Sequence, residues 1–165
     1  MNEIIERIFD LIEEMAFESK HLESNITGSS KTLILHLIKI LKYKDPLNYK
    51  KHIRDINLII LNIKFDKNRC KSKISYTKLY KWMFLDLVKS IDDINEMNNI
   101  LNVHYSELPE ILSNEQIFDY VKNIMYKIIQ QITDNTFQNL EIILKDLNIF
   151  DEEQYNYTLK SSKKN

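Results

Sequence analysis

The chain has 165 residues, 44% of them apolar, with 23 basic against 24 acidic side chains and a formal net charge of −1. That size suffices for one independently folding domain and leaves little room for two. The lone cysteine, Cys70, excludes an intramolecular disulfide, no apolar run approaches the ~20 residues of a membrane helix, and Glu3, Glu6 and Arg7 interrupt the apolar start as no signal peptide does. A reducing, cytoplasmic setting without membrane attachment is therefore expected.

Residue usage is skewed: Ala16 is the only alanine, Gly28 the only glycine, and Val88, Val103 and Val121 the only valines, while isoleucine, asparagine and lysine abound. AT-rich coding produces this bias, which makes a virus- or parasite-encoded factor acting inside a host cell one expectation of origin.

One glycine and two prolines are too little punctuation for a β-rich domain, and the apolar residues recur at three and four, the period of helices. The first helix is expected over residues 2–20, with Ile5, Ile8, Phe9, Ile12, Met15 and Ala16 as its buried stripe and acids opposite. A polar link holding Ser24, Asn25, Gly28, Ser29 and Ser30 should end it. A second helix, residues 30–43, carries Leu33, Ile34, Leu37, Ile38 and Leu41. Asp45 before Pro46 suits the N-cap and first position of a third helix, residues 46–64. Being apolar on nearly all sides from Leu58 to Leu61, this third helix is expected at the centre.

Residues 66–73, DKNRCKSK, read as an exposed basic loop. Ser75 can cap a fourth helix whose face is Leu79, Tyr80, Met83, Phe84, Leu87 and Val88. Ser90 with Asp93, and Ser113 with Gln116, have capping-box spacing. They start a fifth helix with Ile91, Ile94, Met97 and Leu101, and, after a break at Pro109, a sixth with the stripe Ile117, Phe118, Val121, Ile124, Met125, Ile128, Ile129 and Ile132. Residues 133–136 end it, and a short seventh helix uses Phe137, Leu140, Ile143, Leu144 and Leu147. Residues 151–165 read as a polar, flexible tail. The fold class is all-α: a compact bundle of six to seven mostly antiparallel amphipathic helices, one domain over residues 1–150.

Charge is unevenly spread: residues 1–30 hold two basic and seven acidic side chains, residues 31–90 fifteen and four, and residues 91–165 six and thirteen. The basic middle has several readings, an acidic protein partner among them. Either it lies against the chain's own acidic helices, or against those of a second copy in a homodimer, or it contacts an anion such as nucleic acid through Lys42, Lys44, Lys50, Lys51, Arg54, Lys67, Arg69, Lys71 and Lys73, with Tyr43, Tyr49 and Tyr80 interleaved for stacking. Only Arg54 and Arg69 could supply the bidentate base contacts of sequence-specific readers.

Enzymatic signatures are missing. One glycine cannot build a phosphate-binding loop. The acid–histidine pairs Glu18–His21, His52–Asp55 and His104–Glu107 have helical spacing but form no set of metal ligands. Cys70 lies between Arg69 and Lys71 without an identifiable base, and His36 sits on an apolar helix face. No catalytic, metal or cofactor residue is assigned. The expectation is a non-enzymatic helical interaction module, an adaptor, inhibitor or regulatory subunit with a protein partner, and nucleic-acid binding is the alternative. Trp82 fits a core position better than an anchor, but if an exposed apolar face exists on the fourth helix it would comprise Tyr76, Tyr80, Trp82, Met83 and Phe84.

Overall fold

Ile26 and Ser30, placed by sequence in a polar link, are both fully buried on the inner face of a helix that does not stop there. The structure, a computed structural model, describes residues 2–42, 49–70, 73–105 and 113–147. Its first element, α1, runs unbroken from Asn2 to Lys42. The expected link at 24–30 is thus corrected to helix. A mid-helix glycine costs about 1 kcal/mol relative to alanine, and burial outweighs that here. Ile26, Leu33, Ile34, Leu37, Ile38 and Leu41 are all fully buried, each contributing about 1.5–3 kcal/mol. Gly28 and the polar residues beside it, Ser24 and Asn25, sit on the outer face. There Thr32 Oγ1 donates to the Gly28 carbonyl, 3.3 Å away.

Helix α2 (Tyr49–Arg69) returns along the C-terminal half of α1 and brings His52 against His36, ring centroids 5.5 Å apart. It buries one stripe only: Tyr49, Ile53, Ile56, Ile60 and Ile63. Leu58, Leu61 and Phe65 are 53%, 41% and 62% exposed, so α2 is not the centre of the bundle. That place belongs to α5 (Asn114–Thr133), which touches every other element. Its stripe Ile117, Val121, Ile124, Met125, Ile128, Ile129 and Ile132 is fully buried.

Short helices complete the bundle. Ser75 caps α3 (Tyr76–Tyr80), its Oγ accepting from the Lys78 amide at 3.2 Å. The chain then widens into a π-helical turn, Lys81–Leu85, in which the Asp86 amide donates to the Lys81 carbonyl five residues back at 3.0 Å. The wider turn lets three consecutive side chains, Trp82, Met83 and Phe84, face inward. Helix α4 (Ile91–Tyr105) starts at the Ser90–Asp93 box, where the Ser90 amide donates to Asp93 at 3.1 Å and the Asp93 amide to Ser90 Oγ at 3.4 Å.

Helix α5 opens on the expected box in full, Ser113 amide to Gln116 Oε1 at 3.0 Å and Gln116 amide to Ser113 Oγ at 3.3 Å. Asn135, with φ of 56°, makes the turn out of α5. Asn139 then caps α6 (Leu140–Asp146), accepting from the Glu141 amide at 3.0 Å. The molecule is an all-helical bundle, and no strand occurs among the described residues. None of the described helices is long and apolar enough to cross a membrane. The expected break at Pro109 and the C-terminal tail lie outside the described residues.

Candidate protein-interaction surface

Residues 2–13 of α1 form the most exposed apolar feature among the described residues. Every residue from 2 to 13 is exposed, and the half-buried Leu22 and the buried Ile26 belong to the core. At 1.5 Å per residue, residues 2–13 make about 18 Å of exposed helix. Its sequence nevertheless carries the spacing of a buried helix. Ile4, Ile5, Ile8, Leu11 and Ile12 recur at three and four on one side with Phe9 at their edge, while Glu3, Glu6, Asp10 and Glu13 occupy the other. The six apolar side chains are between 49% and 66% exposed. An apolar patch of several hundred Å² is of the size that marks an interaction surface rather than scattered surface leucines. The stripe expected to be buried is thus corrected at Ile5, Ile8, Phe9 and Ile12: its periodicity is present and its cover is not within the described chain.

The outer face of α2 is a second such surface of opposite charge. Leu58, Leu61 and Phe65, at spacings of three and four, form an exposed apolar line. The exposed Lys51 and Arg54 precede it, and Arg69 follows with its guanidinium 5.5 Å from the Phe65 ring centroid. Beside Leu58 an open groove of about 390 Å³ runs between α2 and α6, lined by Lys50, Ile53, Arg54, Asn57, Leu58, Asn139 and Glu141. Polar contacts hold its walls in place. Asn57 Nδ2 donates to Asn139 Oδ1 at 3.2 Å and the Leu140 amide to Asn57 Oδ1 at 2.9 Å, so α2 and the start of α6 are tied together.

Of the basic residues expected to meet an anion, Lys50, Lys51, Arg54, Arg69 and Lys73 are exposed. Lys67 is corrected. It is buried, and its Nζ donates to the carbonyls of Ile132 and Thr133 at 2.9 and 3.2 Å. Those are C-terminal carbonyls of α5, where a cation also meets the negative end of the helix dipole. Lys64 does the same for the following turn, donating to Asn135 and Thr136 carbonyls at 3.1 and 3.4 Å. Part of the basic surplus thus neutralises backbone carbonyls, a pairing that a count of side-chain charges cannot reveal. Lys44 and Lys71, and the side chain of Lys42, lie outside the described residues.

On the fourth helix Trp82 takes the core position that fits it better, and the conditional aromatic face is not presented as a whole. Trp82, Met83 and Phe84 are 4%, 0% and 2% exposed and belong to the core. Lys78 Nζ lies 5.0 Å from the Trp82 ring centroid. Tyr76 and Tyr80 are half-buried and join an aromatic ladder with α5. Tyr76 stacks on Tyr80 at 6.3 Å, Tyr80 on Tyr126 at 4.9 Å, and Phe84 tilts toward Phe118 at 6.5 Å. Burial, with the Tyr126 hydroxyl next in weight, pushes Tyr80 up to about 12, and burial raises Tyr76 as well. Both phenols are therefore neutral donors over the ordinary pH range. A shallow depression of about 610 Å³ between Tyr76, Tyr126 and the end of α5 contains no nucleophile paired with a base.

The His36–His52 pair lies in the α1–α2 interface. Cys70 is half-buried against the core. Among the described residues no group of three or more His, Cys, Asp or Glu side chains could hold a metal ion. No protein-family model, curated protein or solved structure matches this chain.

Proposed function

We propose that this chain is a non-enzymatic helical interaction module, an adaptor, inhibitor or regulatory subunit, that engages a protein partner through the N-terminal half of α1. One observation carries the reading: six large apolar side chains at the spacing of a buried helix stand 49–66% exposed on a segment that packs on nothing described. An amphipathic helix of this kind is recognised by laying its apolar face into a groove, with anchors at i, i+3, i+4 and i+7; here Ile5, Ile8, Phe9 and Ile12 have that spacing, with Ile4 and Leu11 beside them. The acidic opposite face disfavours anionic membranes, which attract helices whose polar side is basic.

The test is affinity purification after nuclease treatment, comparing the natural chain with an Ile8→Asp, Phe9→Asp variant. A protein partner retained by the first and lost by the second supports the reading. Equal retention by both moves the interaction elsewhere on the molecule and defeats it.

A second reading, nucleic-acid binding, is favoured by the exposed Lys50, Lys51, Arg54, Arg69 and Lys73. It ranks lower because Lys67 is spent on α5 and the line between Arg54 and Arg69 is apolar. Phosphate contacts are strongest at low salt, so absence of binding to single- and double-stranded nucleic acid at ~50 mM salt would eliminate it.

A further inference from the structure

Separately from the arm of α1, we infer that the outer face of α2 docks an acidic amphipathic helix of another protein, one whose carboxylates lie on the same side as its apolar anchors. Side-chain direction carries this. At about 100° per residue, Lys51, Arg54, Leu58, Leu61, Phe65 and Arg69 fall within one arc of about 80°, and no other residue of α2 does. All six are exposed, and the arc lies opposite the buried stripe of Ile53, Ile56, Ile60 and Ile63. Asp55 and Asp66 are half-buried and stand outside it.

The cations of this face thus point the same way as its apolar line. Whatever buries Leu58, Leu61 and Phe65 also takes water from Lys51, Arg54 and Arg69, and a buried charge is costly unless it is paired. The covering surface must therefore bring carboxylates to both ends and apolar side chains between them. The arm of α1 differs, because its acids stand opposite its stripe and stay in water when the stripe is covered.

Shape favours a protein over other anionic surfaces. The hollow of about 390 Å³ between α2 and α6 adjoins Leu58 and Arg54. Its walls are fixed by the bonds of Asn57 to Asn139 and to the Leu140 amide, so it is a preformed seat for one anchoring side chain beside a cation. A flat bilayer leaves such a concavity unfilled. Nucleic acid brings a phosphate every few Å, yet the roughly 22 Å between Arg54 and Arg69 present only apolar side chains within the arc, with Phe65 the one ring on which a base could stack.

A designed probe tests the inference on the full chain. It is a fluorescein-labelled helical peptide of about 20 residues, with leucines at i, i+3 and i+7 in its middle and glutamates on the same side at both ends. One control peptide has the glutamates moved to the opposite side, and another has lysines in their place. Fluorescence anisotropy is expected to show the natural chain binding the first peptide at least about tenfold more tightly than either control. A charge-reversed face, Lys51→Glu with Arg54→Glu and Arg69→Glu, should invert the preference between glutamate and lysine peptides, which a loss of fold would not do. Leu58→Ser with Phe65→Ser should weaken the glutamate peptide by at least about tenfold with unchanged helix content. Ile8→Asp with Phe9→Asp, on the arm, should leave it unaltered, so this test and that of the arm fail independently.

No binding of the glutamate peptide, equal binding of all three peptides, or a reversed face that keeps the original preference overturns the inference. Phosphatidylserine vesicles and a single-stranded oligonucleotide serve as competitors. Displacement of the probe by either at a lower concentration than the unlabelled glutamate peptide requires assigns the face to a lipid surface or to nucleic acid, and overturns the inference as well.

Discussion

His36 and His52 face each other across the α1–α2 interface, and the environment of His36 gives that contact a pH dependence. Burial lowers the His36 pKa below its ordinary 6.5, and the nearby Lys39, His52 and Lys51 add to this while Asp55 opposes it. The unfolded chain therefore takes up a proton near 6.5 that the folded chain refuses until lower pH. Stability contributed by the neutral imidazole is complete above about 6.5 and is lost as pH falls from there toward the lower folded value. The Tm of the natural chain is expected to drop more between pH 7.5 and 5 than that of His36→Gln. Parallel curves for the two would show that this histidine is not the coupled group.

Lys67 makes the sharper residue-level case. Burial first, then the Lys64 and Lys73 cations, lower its pKa, with Asp134 pulling the other way. Its two bonds to the Ile132 and Thr133 carbonyls are what justify an ammonium in that place. Lys67→Met keeps the apolar stem but leaves those carbonyls without their donor. This should cost about 1–3 kcal/mol, several degrees of Tm, whereas Lys64→Met at the less buried neighbouring position should cost less. Equal Tm values for the two variants would refute that ranking.

At the scale of elements, α1 shows how local signals and tertiary packing divide the work. Gly28 has nothing within 4 Å of where a Cβ would sit, and no glycine has a positive φ. Gly28→Ala should therefore stabilise the protein by up to about 1 kcal/mol, through helix propensity and a less free unfolded chain. If residues 24–30 instead formed a bent link, the same substitution would be neutral or destabilising, so thermal denaturation distinguishes the two.

The helix starts at Ser75, Ser90 and Ser113 were legible because a cap is a bond between residues three apart and needs no knowledge of the rest of the fold. The continuity of α1 was not, because Ser24, Asn25 and Gly28 are weak helix formers whose preference yields when Ile26, Ser30 and Leu33 share an inner face. The outer line of α2 was misplaced for a related reason. Apolar residues on all sides of a helix mark either a central helix or one with a face reserved for contact, and periodicity does not separate these. The all-helical class and the α5 stripe were readable from spacing alone. Trp82, Met83 and Phe84 form a run that an α-helical wheel spreads around the axis, and only the π-helical turn gathers all three into the core.

For the whole molecule, burial is divided unevenly along the described chain. The core is built from the second half of α1, from α2 and α5, and from the short helices around them, while residues 2–13 bury nothing described. Removing residues 2–13 should therefore leave a cooperatively folding body. Its effect on Tm depends on what the arm does. If the arm docks on a second copy, association stabilises the native state by mass action, and the Tm of the full chain climbs with protein concentration. The shortened chain then shows a concentration-independent Tm, and the two converge on dilution below the dimer dissociation constant. If the arm packs against its own body, the shortened chain is less stable by the same margin at every concentration, because an intramolecular contact does not dilute. A concentration series of thermal melts on both chains separates these outcomes. Convergence at the dilute end is the expected result, since six apolar side chains left 49–66% exposed contribute little to a monomer and much to an interface.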